Sequence, residues 1–350
     1  MNFKYKFNEF GDNWFYNDFM FAVKKGKPFP PQTVSWDCSR RCNLNCIHCG
    51  ATKEKYPKEL STQQIKKVID QLSEEKVKFF GITGGEPLLR KDLIEILEYA
   101  FRKGIKTGIS TNGYFIDKNI SKKISNAGTY SIQISLDGNQ KIHNYIRGNN
   151  QSFQKVIDAI KNLKKEKIKI ISVATVVTPI NLDYLEEIKE ILLNLKVKYW
   201  RIIPIMPIGK GENEKLKLNK TQLKQVLDFV KSNKNKLKIQ IGENLPFLKN
   251  YEEKIRNSPL KCPVGFNTCC IGVDGHVRGC PEMPDTEKFR EGNILESSFS
   301  EIWKKGFKKY RERIILKEDK RCSACKDKDK CFGGCWVMRE GKNNCVHDLL

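Results

Sequence analysis

Short apolar runs alternate with amphipathic runs between about residues 33 and 207, and this alternation indicates the architecture. In the amphipathic runs apolar residues recur at steps of three and four, as in Ile65, Ile69 and Leu72, which is the period of a helix packed on one face. These runs predict helices at 61–76, 91–103, 117–127, 152–165, 182–195 and 220–232. Residues that suit N-caps begin three of them: Ser61, Asp117 and Ser152. The apolar runs predict strands at 33–38, 78–83, 105–111, 130–136, 168–177 and 198–203.

Strands that alternate with helices pair in parallel through right-handed crossovers. Six strand–helix units are too few to close an eight-strand barrel, so we predict an α/β fold built on an open, partial (β/α)6 TIM-type barrel. Near Pro259 the residue pattern changes. Nine cysteines follow, and long apolar runs become few. A region with so little core needs cross-links such as metal clusters. We therefore predict an N-terminal extension (1–32), the barrel (33–209), a connecting helical segment (210–259) and a small cysteine-rich domain (260–350).

The composition is that of a soluble protein. Of 350 residues 39% are hydrophobic, and no apolar run approaches the ~18 residues of a membrane helix. Charged residues interrupt the first 21 positions, which does not fit a signal peptide, and we expect a cytoplasmic location. Because that compartment keeps thiols reduced, the thirteen cysteines predict metal binding rather than disulfides.

The formal net charge is +23, and most of the excess is lysine. One interpretation is that these charges lie on solvated faces, and the other is an acidic partner such as an acidic peptide, a carboxylate-rich small molecule or a nucleic acid. The lysines are spread over the whole chain, with no arginine–aromatic stripe and no nucleic-acid motif. We expect neither a nucleic acid nor a membrane partner.

The densest cysteine cluster follows the first predicted strand. Cys42, Cys46 and Cys49 form a C-x3-C-x2-C triplet. A structural zinc site closes with four ligands, and Cys38 or His48 would have to supply the fourth from an awkward position. Three thiolates on one loop instead suit three corners of a 4Fe–4S cube, whose fourth iron stays open to another ligand. The spacing alone leaves both possibilities open.

Polar or glycine-rich segments follow the next four predicted strands, at 83–87, 110–113, 135–138 and 175–181. Each by itself is typical of a turn. In a parallel barrel, however, the carboxyl ends of the strands converge on one face and build the active site. Together with the cysteine loop these segments predict a single site.

At this point the chain resembles the radical S-adenosylmethionine (SAM) enzymes. The resemblance rests on the cysteine triplet, on the run Gly84-Gly85-Glu86-Pro87, and on Ser135-Leu136-Asp137-Gly138 followed by His143 and Arg147-Gly148. It implies that the open iron binds the amino and carboxylate groups of SAM. It also implies that an electron from the cluster cleaves SAM to a 5'-deoxyadenosyl radical, which abstracts a substrate hydrogen.

The resemblance also implies which residues contact SAM. Gly84 and Gly85 would allow close approach of the backbone, Glu86 would bind the ammonium group, and Arg147 would bind the carboxylate through two hydrogen bonds. His48 would lie against the adenine. The remaining expected contacts are Pro87, Ser110, Asn112, Ser135 and Asp137. Cys38 has no role in this pattern, and we predict that it is a buried packing residue.

The C-terminal cysteines resemble the SPASM extension of radical SAM enzymes. Their spacing is Cys262-x12-Gly275-x4-Cys280, a gap, Cys322-x2-Cys325-x5-Cys331-x3-Cys335, a gap, and Cys345. The resemblance implies two auxiliary 4Fe–4S clusters, and so three clusters in all. Cluster I would be held by Cys262, Cys280 and Cys335, with Cys269 or Cys270 as a possible fourth ligand or an open iron, and cluster II by Cys322, Cys325, Cys331 and Cys345. A zinc-ribbon module would explain only the C-x2-C pair.

Enzymes with this extension mostly modify peptides or proteins, so we predict oxidative modification of a ribosomally made peptide or protein by crosslink, thioether or side-chain oxidation. The resemblance also implies a flavodoxin- or ferredoxin-type electron donor. Only about 35 residues precede the first strand, so we expect a leader peptide to bind elsewhere or through another protein.

Two alternatives stay open. The first is oxidative decarboxylation of tetrapyrrole side chains, which suits a basic protein and the histidine before the last cysteine of the triplet. The second is a non-catalytic iron–sulfur electron-transfer protein, which would not need Gly84–Pro87 or Arg147. In the sulfatase-maturing branch an acidic base follows the cysteine that matches Cys280; here Pro281 follows, then Glu282. Glu282 is our candidate catalytic base, and the alternative is a surface glutamate beside a proline turn.

Overall fold

The computed structural model describes residues 30–51, 58–242, 244–245, 247–256, 262–340, 345, 348 and 350. Most of the predicted N-terminal extension, residues 1–29, lies outside the described residues.

One ten-stranded sheet forms the body of the molecule, in the order β10-β9-β8-β1-β2-β3-β4-β5-β6-β7. Neighbouring strands from β8 through β1 to β7 pair in parallel, whereas β9 and β10 join the β8 edge antiparallel. The strands are β1 (Thr33–Asp37), β2 (Phe79–Thr83), β3 (Lys106–Thr111), β4 (Ser131–Ser135), β5 (Ile170–Val177), β6 (Tyr199–Pro204), β7 (Lys238–Ile241), β8 (Thr268–Ile271), β9 (His276–Arg278) and β10 (Gly292–Asn293).

Seven longer helices belong to the strand–helix part of the chain: α1 (Thr62–Glu74), α2 (Leu93–Arg102), α3 (Lys118–Asn126), α4 (Gln140–Arg147), α5 (Ser152–Leu163), α6 (Leu185–Asn194) and α7 (Lys220–Asn233). Shorter helices follow: α8 (Glu252–Ile255), α9 (Phe299–Lys305), α10 (Lys308–Arg311), α11 (Ile314–Glu318), α12 (Lys320–Ser323), α13 (Lys328–Cys331) and α14 (Trp336–Glu340). None of the helices within the described ranges is long and apolar enough to cross a membrane.

The predicted alternation of six strands with helices is confirmed, and the sheet is larger than predicted. Strand β7 adds a parallel strand beyond β6, and β8 adds one beside β1. Both have only four residues, and the polar Lys238 and Gln240 interrupt the apolar pattern of β7. The sheet thus continues through the segment predicted as a helical connection and into the cysteine-rich region; the domain limits stay a prediction.

The two faces of the sheet differ because side chains alternate along each strand. Side chains on the face covered by helices are apolar and almost fully buried, among them Trp36, Phe80, Ile109, Ile132 and Val173. The opposite face carries several small or polar, partly exposed side chains, among them Ser35, Ser110, Gln133, Ser135 and Arg201, together with larger ones such as Phe79 and Tyr199. We call the space inside this second face the lumen. The hydrophobic core therefore lies between sheet and helices, and the polar lumen opens at the strand ends.

Candidate active site

The cysteine triplet lies on the loop that leaves β1. Burial raises the pKa of Cys42, and the nearby thiols of Cys46 and Cys49 raise it further. The Cys42 sulfur accepts the backbone N–H of Leu44 at 3.5 Å, and the sulfur of Cys46 lies 3.7 Å from Nη1 of Arg147. The three predicted ligands thus share one loop with a cation beside it, and an all-thiol donor set of this kind suits an iron–sulfur cluster.

The glycine pair at the end of β2 holds this loop. The N–H of Gly85 donates to the Ser39 carbonyl at 2.6 Å, and the N–H of Glu86 donates to the Arg41 carbonyl at 2.8 Å. A Cβ on Gly84 would lie 2.5 Å from the Ser39 carbonyl oxygen, and one on Gly85 would lie 2.1 Å from that of Arg41. The space left by the missing side chains is therefore filled by the cysteine loop. A contact of the two glycines with SAM stays a prediction.

The far part of the loop has anchors of its own. The N–H of Ile47 donates to the Ile146 carbonyl at 2.9 Å, and the N–H of Lys210 donates to the Cys49 carbonyl at 2.9 Å. Gly209 has a φ of 53°, and a Cβ there would lie 2.7 Å from the Gly50 carbonyl oxygen. The loop is thus fixed by backbone contacts from β2, α4 and the segment after β6.

Behind the loop Asp137, Arg147 and His48 form a buried polar group. Oδ2 of Asp137 lies 2.6 Å from Nη2 of Arg147 and 3.2 Å from Nε2 of His48, and Oδ1 accepts the N–H of Val176 at 3.0 Å. Burial by itself would raise the pKa of Asp137, but Arg147 and His48 outweigh it and hold the pKa well below its usual range. Asp137 is thus ionised and keeps the guanidinium beside Cys46. Direct contacts of these three residues with SAM stay predictions.

His143 supports this group from α4. Its Nδ1 accepts the N–H of Asp137 at 3.1 Å, so its Nε2–H donates to the Ser152 hydroxyl at 3.0 Å. Burial and the charge of Arg147 lower the pKa of His143 to about 3, so the imidazole is neutral. The predicted N-cap role of Ser152 is wrong, because Gln151 precedes the helix as its cap residue and the Ser152 hydroxyl is bound to His143.

Glu86 is fully buried and joins the ends of β2 and β3. Its carboxylate accepts the Thr111 hydroxyl at 2.7 Å, the N–H of Asn112 at 2.8 Å and the N–H of Leu88 at 3.1 Å. Burial raises the pKa of Glu86, and these hydrogen bonds partly oppose that rise. Its proposed contact with the SAM ammonium stays a prediction.

The other predicted SAM residues lie at the same strand ends. Pro87 begins a short 3-10 helix, Pro87–Leu89. Ser110 and Ser135 are partly exposed on the lumen side of their strands. The Asn112 amide donates to Oδ1 of Asn43 at 2.8 Å and lies 3.9 Å from the Cys42 sulfur.

The first C-terminal cysteine group contains Cys262, Cys280 and Cys335. Burial raises the pKa of Cys280, and Cys335 and Cys262 raise it further. Burial and Cys262 raise the pKa of Cys335 to about 12. Thiols that raise one another's pKa lie near one another. Binding of a cluster would displace their protons. These are the three residues predicted to hold cluster I.

The second group contains the four residues predicted to hold cluster II. Burial raises the pKa of Cys331 to about 12, with contributions from Cys345, Cys322 and Cys325. The N–H of Cys322 donates to Oδ1 of Asp319 at 3.0 Å, which fixes the first turn of α12.

Cys269 and Cys270 lie on β8 and are buried. Burial raises the pKa of both thiols. The Arg278 charge lowers the pKa of Cys270, and the Asp37 charge raises it. Cys270 raises the pKa of Cys269, and the Arg311 charge lowers it. A ligand role for either thiol stays a prediction, to which these contacts add no support. The prediction that Cys38 is a buried packing residue is confirmed, since it is fully buried in the core.

Glu282 follows Cys280 and Pro281 in the loop after β9. Its side chain is exposed, yet burial raises its pKa, as expected for a group in a crevice surrounded by protein. The Asp37 charge raises the pKa further, whereas Arg201 and Arg278 lower it. A Cβ on Gly50 would lie 3.8 Å from Oε2 of Glu282, so this carboxylate faces the end of the cysteine loop.

Sequence reasoning missed Asp37, Arg201 and Arg278. Arg201 stands in the middle of the otherwise apolar strand Tyr199–Pro204, and Arg278 is 1% exposed on β9. The sequence signal for these residues was a charged residue within a short apolar strand. Such a residue indicates a buried charge, which requires a compensating partner.

Comparison with known proteins agrees with this geometry. The sequence model of the radical SAM superfamily matches residues 36–192, and that of the iron–sulfur cluster-binding SPASM domain matches residues 262–331. The mycofactocin maturase MftC of Mycolicibacterium smegmatis is 31% identical over 315 residues, which cover 88% of this chain and 79% of that protein. The AdoMet-dependent heme synthase of Oleidesulfovibrio alaskensis is 29% identical over 322 residues, which cover 86% and 81%.

Among solved structures, SuiB of Streptococcus suis bound to S-adenosylmethionine superposes with a TM-score of 0.74 at 18% identity, covering 93% of this chain and 78% of that one. SuiB has also been solved with its precursor peptide SuiA.

The chain belongs to the radical SAM superfamily and carries a C-terminal SPASM domain. It is a radical SAM enzyme that binds SAM and iron–sulfur clusters, on a partial TIM-type barrel. The alternatives of a zinc site at the triplet and of a non-catalytic electron-transfer protein are therefore set aside.

Gly85→Ala should disrupt the cysteine loop, because the new Cβ would lie 2.1 Å from the Arg41 carbonyl oxygen. We expect the anaerobically reconstituted variant to lose about four irons per chain, the content of one cube, as measured by iron analysis. Gly81→Ala, within the preceding strand β2, is the control, since its Cβ would meet only side-chain atoms at 3.5 and 3.7 Å. Full iron content in Gly85→Ala would contradict the role of the glycine.

His143 should make stability depend on pH. Its pKa is about 3 in the fold and 6.5 as a free side chain, so its contribution to stability is complete above pH 6.5 and is lost as the pH falls from 6.5 towards 3. When the pH is lowered from 7.5 to 5, the free energy of unfolding measured in urea should fall by about 2 kcal/mol more in wild type than in His143→Asn, because asparagine cannot bind a proton. Parallel pH curves for the two proteins would refute this assignment.

Proposed function

We propose that this enzyme reductively cleaves SAM to a 5'-deoxyadenosyl radical and uses it to oxidise a ribosomally made peptide or protein. The observation that carries the proposal is the cysteine triplet on the loop after β1, with the Arg147 guanidinium 3.7 Å from the Cys46 sulfur. Seven further cysteines form two groups in which thiols raise one another's pKa. Support for a peptide substrate comes from the 31% identical relative named as a maturase and from the SuiB fold, solved with a precursor peptide.

We assign one 4Fe–4S cluster to each cysteine group, which gives three clusters. The triplet leaves one iron of its cube open to SAM, whereas the four thiols of the second C-terminal group can close a cube. The first C-terminal group has three grouped thiols in the described residues, so its fourth position is either open or held by Cys269 or Cys270. A flavodoxin- or ferredoxin-type protein in the cytoplasm would supply the electron for SAM cleavage.

Residues of this chain would bind the substrate and accept its proton. Arg147, held by Asp137, places a positive charge beside Cys46, and the polar lumen provides room for the substrate. A substrate that has lost a hydrogen atom must lose one further electron and one proton to become a stable oxidised product. We assign the proton to Glu282, whose carboxylate faces the end of the cysteine loop and whose pKa is raised by burial. The electron would pass to the auxiliary cluster held by Cys280 and its neighbours.

A second candidate is oxidative decarboxylation of tetrapyrrole side chains. It is supported by the 29% identical heme synthase relative and by Arg201, a guanidinium on the lumen side of β6 that suits a substrate carboxylate.

Replacing Cys42, Cys46 and Cys49 together by Ala should lower the iron content from about twelve to about eight per chain and abolish SAM cleavage, because only the triplet cube is lost. Iron analysis and chromatography of 5'-deoxyadenosine from dithionite-reduced protein provide the measurement. Cys38→Ala is the control, since that buried thiol belongs to none of the three groups. Reduced, cluster-loaded wild type that yields no 5'-deoxyadenosine would refute the proposed reaction.

Glu282→Gln should lower product formation by about 10²–10⁴-fold, the usual contribution of a general base, and leave 5'-deoxyadenosine formation in place. The substrates to test are short peptides encoded beside the gene, in co-expression, and an iron coproporphyrin, with mass spectrometry as the readout. Glu287→Gln changes an exposed glutamate of the same segment and serves as control. A mass change on a peptide supports the first function, and loss of carbon dioxide from the tetrapyrrole supports the second. Unchanged turnover in Glu282→Gln would remove Glu282 as the base.

A further inference from the structure

We propose that Arg278 is a positioning residue that ties the Cys280–Glu282 turn to the end of strand β1, and so sets where auxiliary cluster I and Glu282 lie relative to the SAM-cluster loop. This inference rests on the proposed function for the assignment of Cys280 as a cluster ligand. The tie itself is a set of contacts between described residues.

Arg278 contacts three acceptors on two separate parts of the chain. Its Nε donates to the Cys280 carbonyl at 3.3 Å, and its Nη2 donates to the Pro281 carbonyl at 3.3 Å. The same Nη2 pairs with Oδ2 of Asp37, which lies 241 positions away. One guanidinium therefore joins the backbone around a cluster ligand to a carboxylate at the end of β1.

The position of Asp37 gives this contact its significance. Asp37 is the last residue of β1, and the loop with the cysteine triplet begins directly after it. At the far end of the triplet, Gly50 faces Glu282, whose Oε2 lies 3.8 Å from a Cβ built on that glycine. The segment from Arg278 to Glu282 therefore meets the cysteine loop at both of its ends.

The sheet brings Arg278 to this place. Strand β8 pairs in parallel with β1 and antiparallel with β9, and Cys270 lies opposite both Ser35 and Arg278. Gly272, just after β8, leaves room for the guanidinium, since a Cβ there would lie 2.9 Å from Nη1 of Arg278. Arg278 thus reaches across β8 to the neighbouring strand.

An arginine suits this place because two of its nitrogens, Nε and Nη2, reach the three acceptors. The planar guanidinium presents donors on three nitrogens, whereas a lysine has a single nitrogen on a flexible stem. Stability alone does not explain the pair, because replacing a buried ion pair by well-packed apolar residues is often neutral or stabilising. The contacts with the Cys280 and Pro281 carbonyls indicate that Arg278 positions the Cys280–Glu282 turn.

Arg311 offers a matched control in the same region. It is also buried, and it donates to the carbonyls of Gly265 at 2.6 Å, Trp303 at 2.7 Å and Gly306 at 3.0 Å. None of these carbonyls belongs to a cysteine. Arg311→Gln therefore removes a comparable backbone clamp that makes no hydrogen bond to the Cys280–Glu282 turn.

The experiment compares Arg278→Lys, Arg278→Gln and Arg311→Gln after anaerobic reconstitution. For each protein, iron content, the electron paramagnetic resonance spectrum of the reduced auxiliary clusters, 5'-deoxyadenosine formation and the melting temperature are measured. We expect both Arg278 variants to change the cluster I spectrum, with a larger change in Gln, and to keep 5'-deoxyadenosine formation within about threefold of wild type. Arg311→Gln should lower the melting temperature and leave the spectrum unchanged.

If Arg278→Gln does not fold, Arg278→Lys and Asp37→Asn carry the test, because the latter removes the charge of the pair and keeps both carbonyl contacts. A cluster I spectrum identical to wild type in the folded Arg278 and Asp37 variants would overturn the inference. So would an equal spectral change in Arg311→Gln. Failure of the proposed function is distinguishable, since reduced, cluster-loaded wild type would then yield no 5'-deoxyadenosine. Failure of the Cys280 assignment would instead appear as wild-type iron for fewer than three cubes.

Discussion

Two backbone hydrogen bonds from Gly85 and Glu86 to the carbonyls of Ser39 and Arg41 hold the cysteine loop, and the site is arranged around that loop. They require the backbones of β2 and the loop to touch, which is possible only because neither Gly84 nor Gly85 has a side chain. Glu86 extends the same connection to β3 through its carboxylate. The end of one strand therefore fixes both the loop and the neighbouring strand end.

Two buried ion pairs lie on either side of this loop. Arg147 pairs with Asp137 and reaches the Cys46 sulfur, while Arg278 pairs with Asp37 and reaches the Cys280 carbonyl. Thiolate-bound clusters bring negative charge into the protein, and a nearby guanidinium offsets it at close range. Because each arginine already has a carboxylate partner, its orientation is set by the fold. The charges beside the cysteines are thus arranged by contacts within the chain.

The sequence was sufficient where a local pattern determined the structure. The period of Ile65, Ile69 and Leu72 predicted a helix that the structure contains, and the capping of α1 by Ser61 was predicted correctly. Strand β7 was missed because four residues with two polar side chains do not form a recognisable run.

At the site, sequence motifs identified which residues matter but not which residues they contact. The glycine pair was interpreted as space for a ligand, and the loop that fills this space lies more than forty positions earlier in the chain. The hydroxyl of Ser152 was expected to cap its own helix, but the tertiary fold places it against His143. The pairing of Asp37 with Arg278 joins residues 241 positions apart, and no local pattern encodes it.

The polar lumen has a consequence for how such a protein can change over time. The apolar residues that stabilise the barrel, such as Trp36, Phe80 and Val173, all lie between the sheet and the helices. Lumen residues such as Gln133 and Arg201 are partly exposed and contribute little to that packing. Substitutions in the lumen can therefore reshape the chamber without unfolding the protein. Proteins that share this scaffold can therefore differ in the substrates they bind while the cysteine loop and its supports stay the same. The relatives named as a mycofactocin maturase and an AdoMet-dependent heme synthase carry different names for their products.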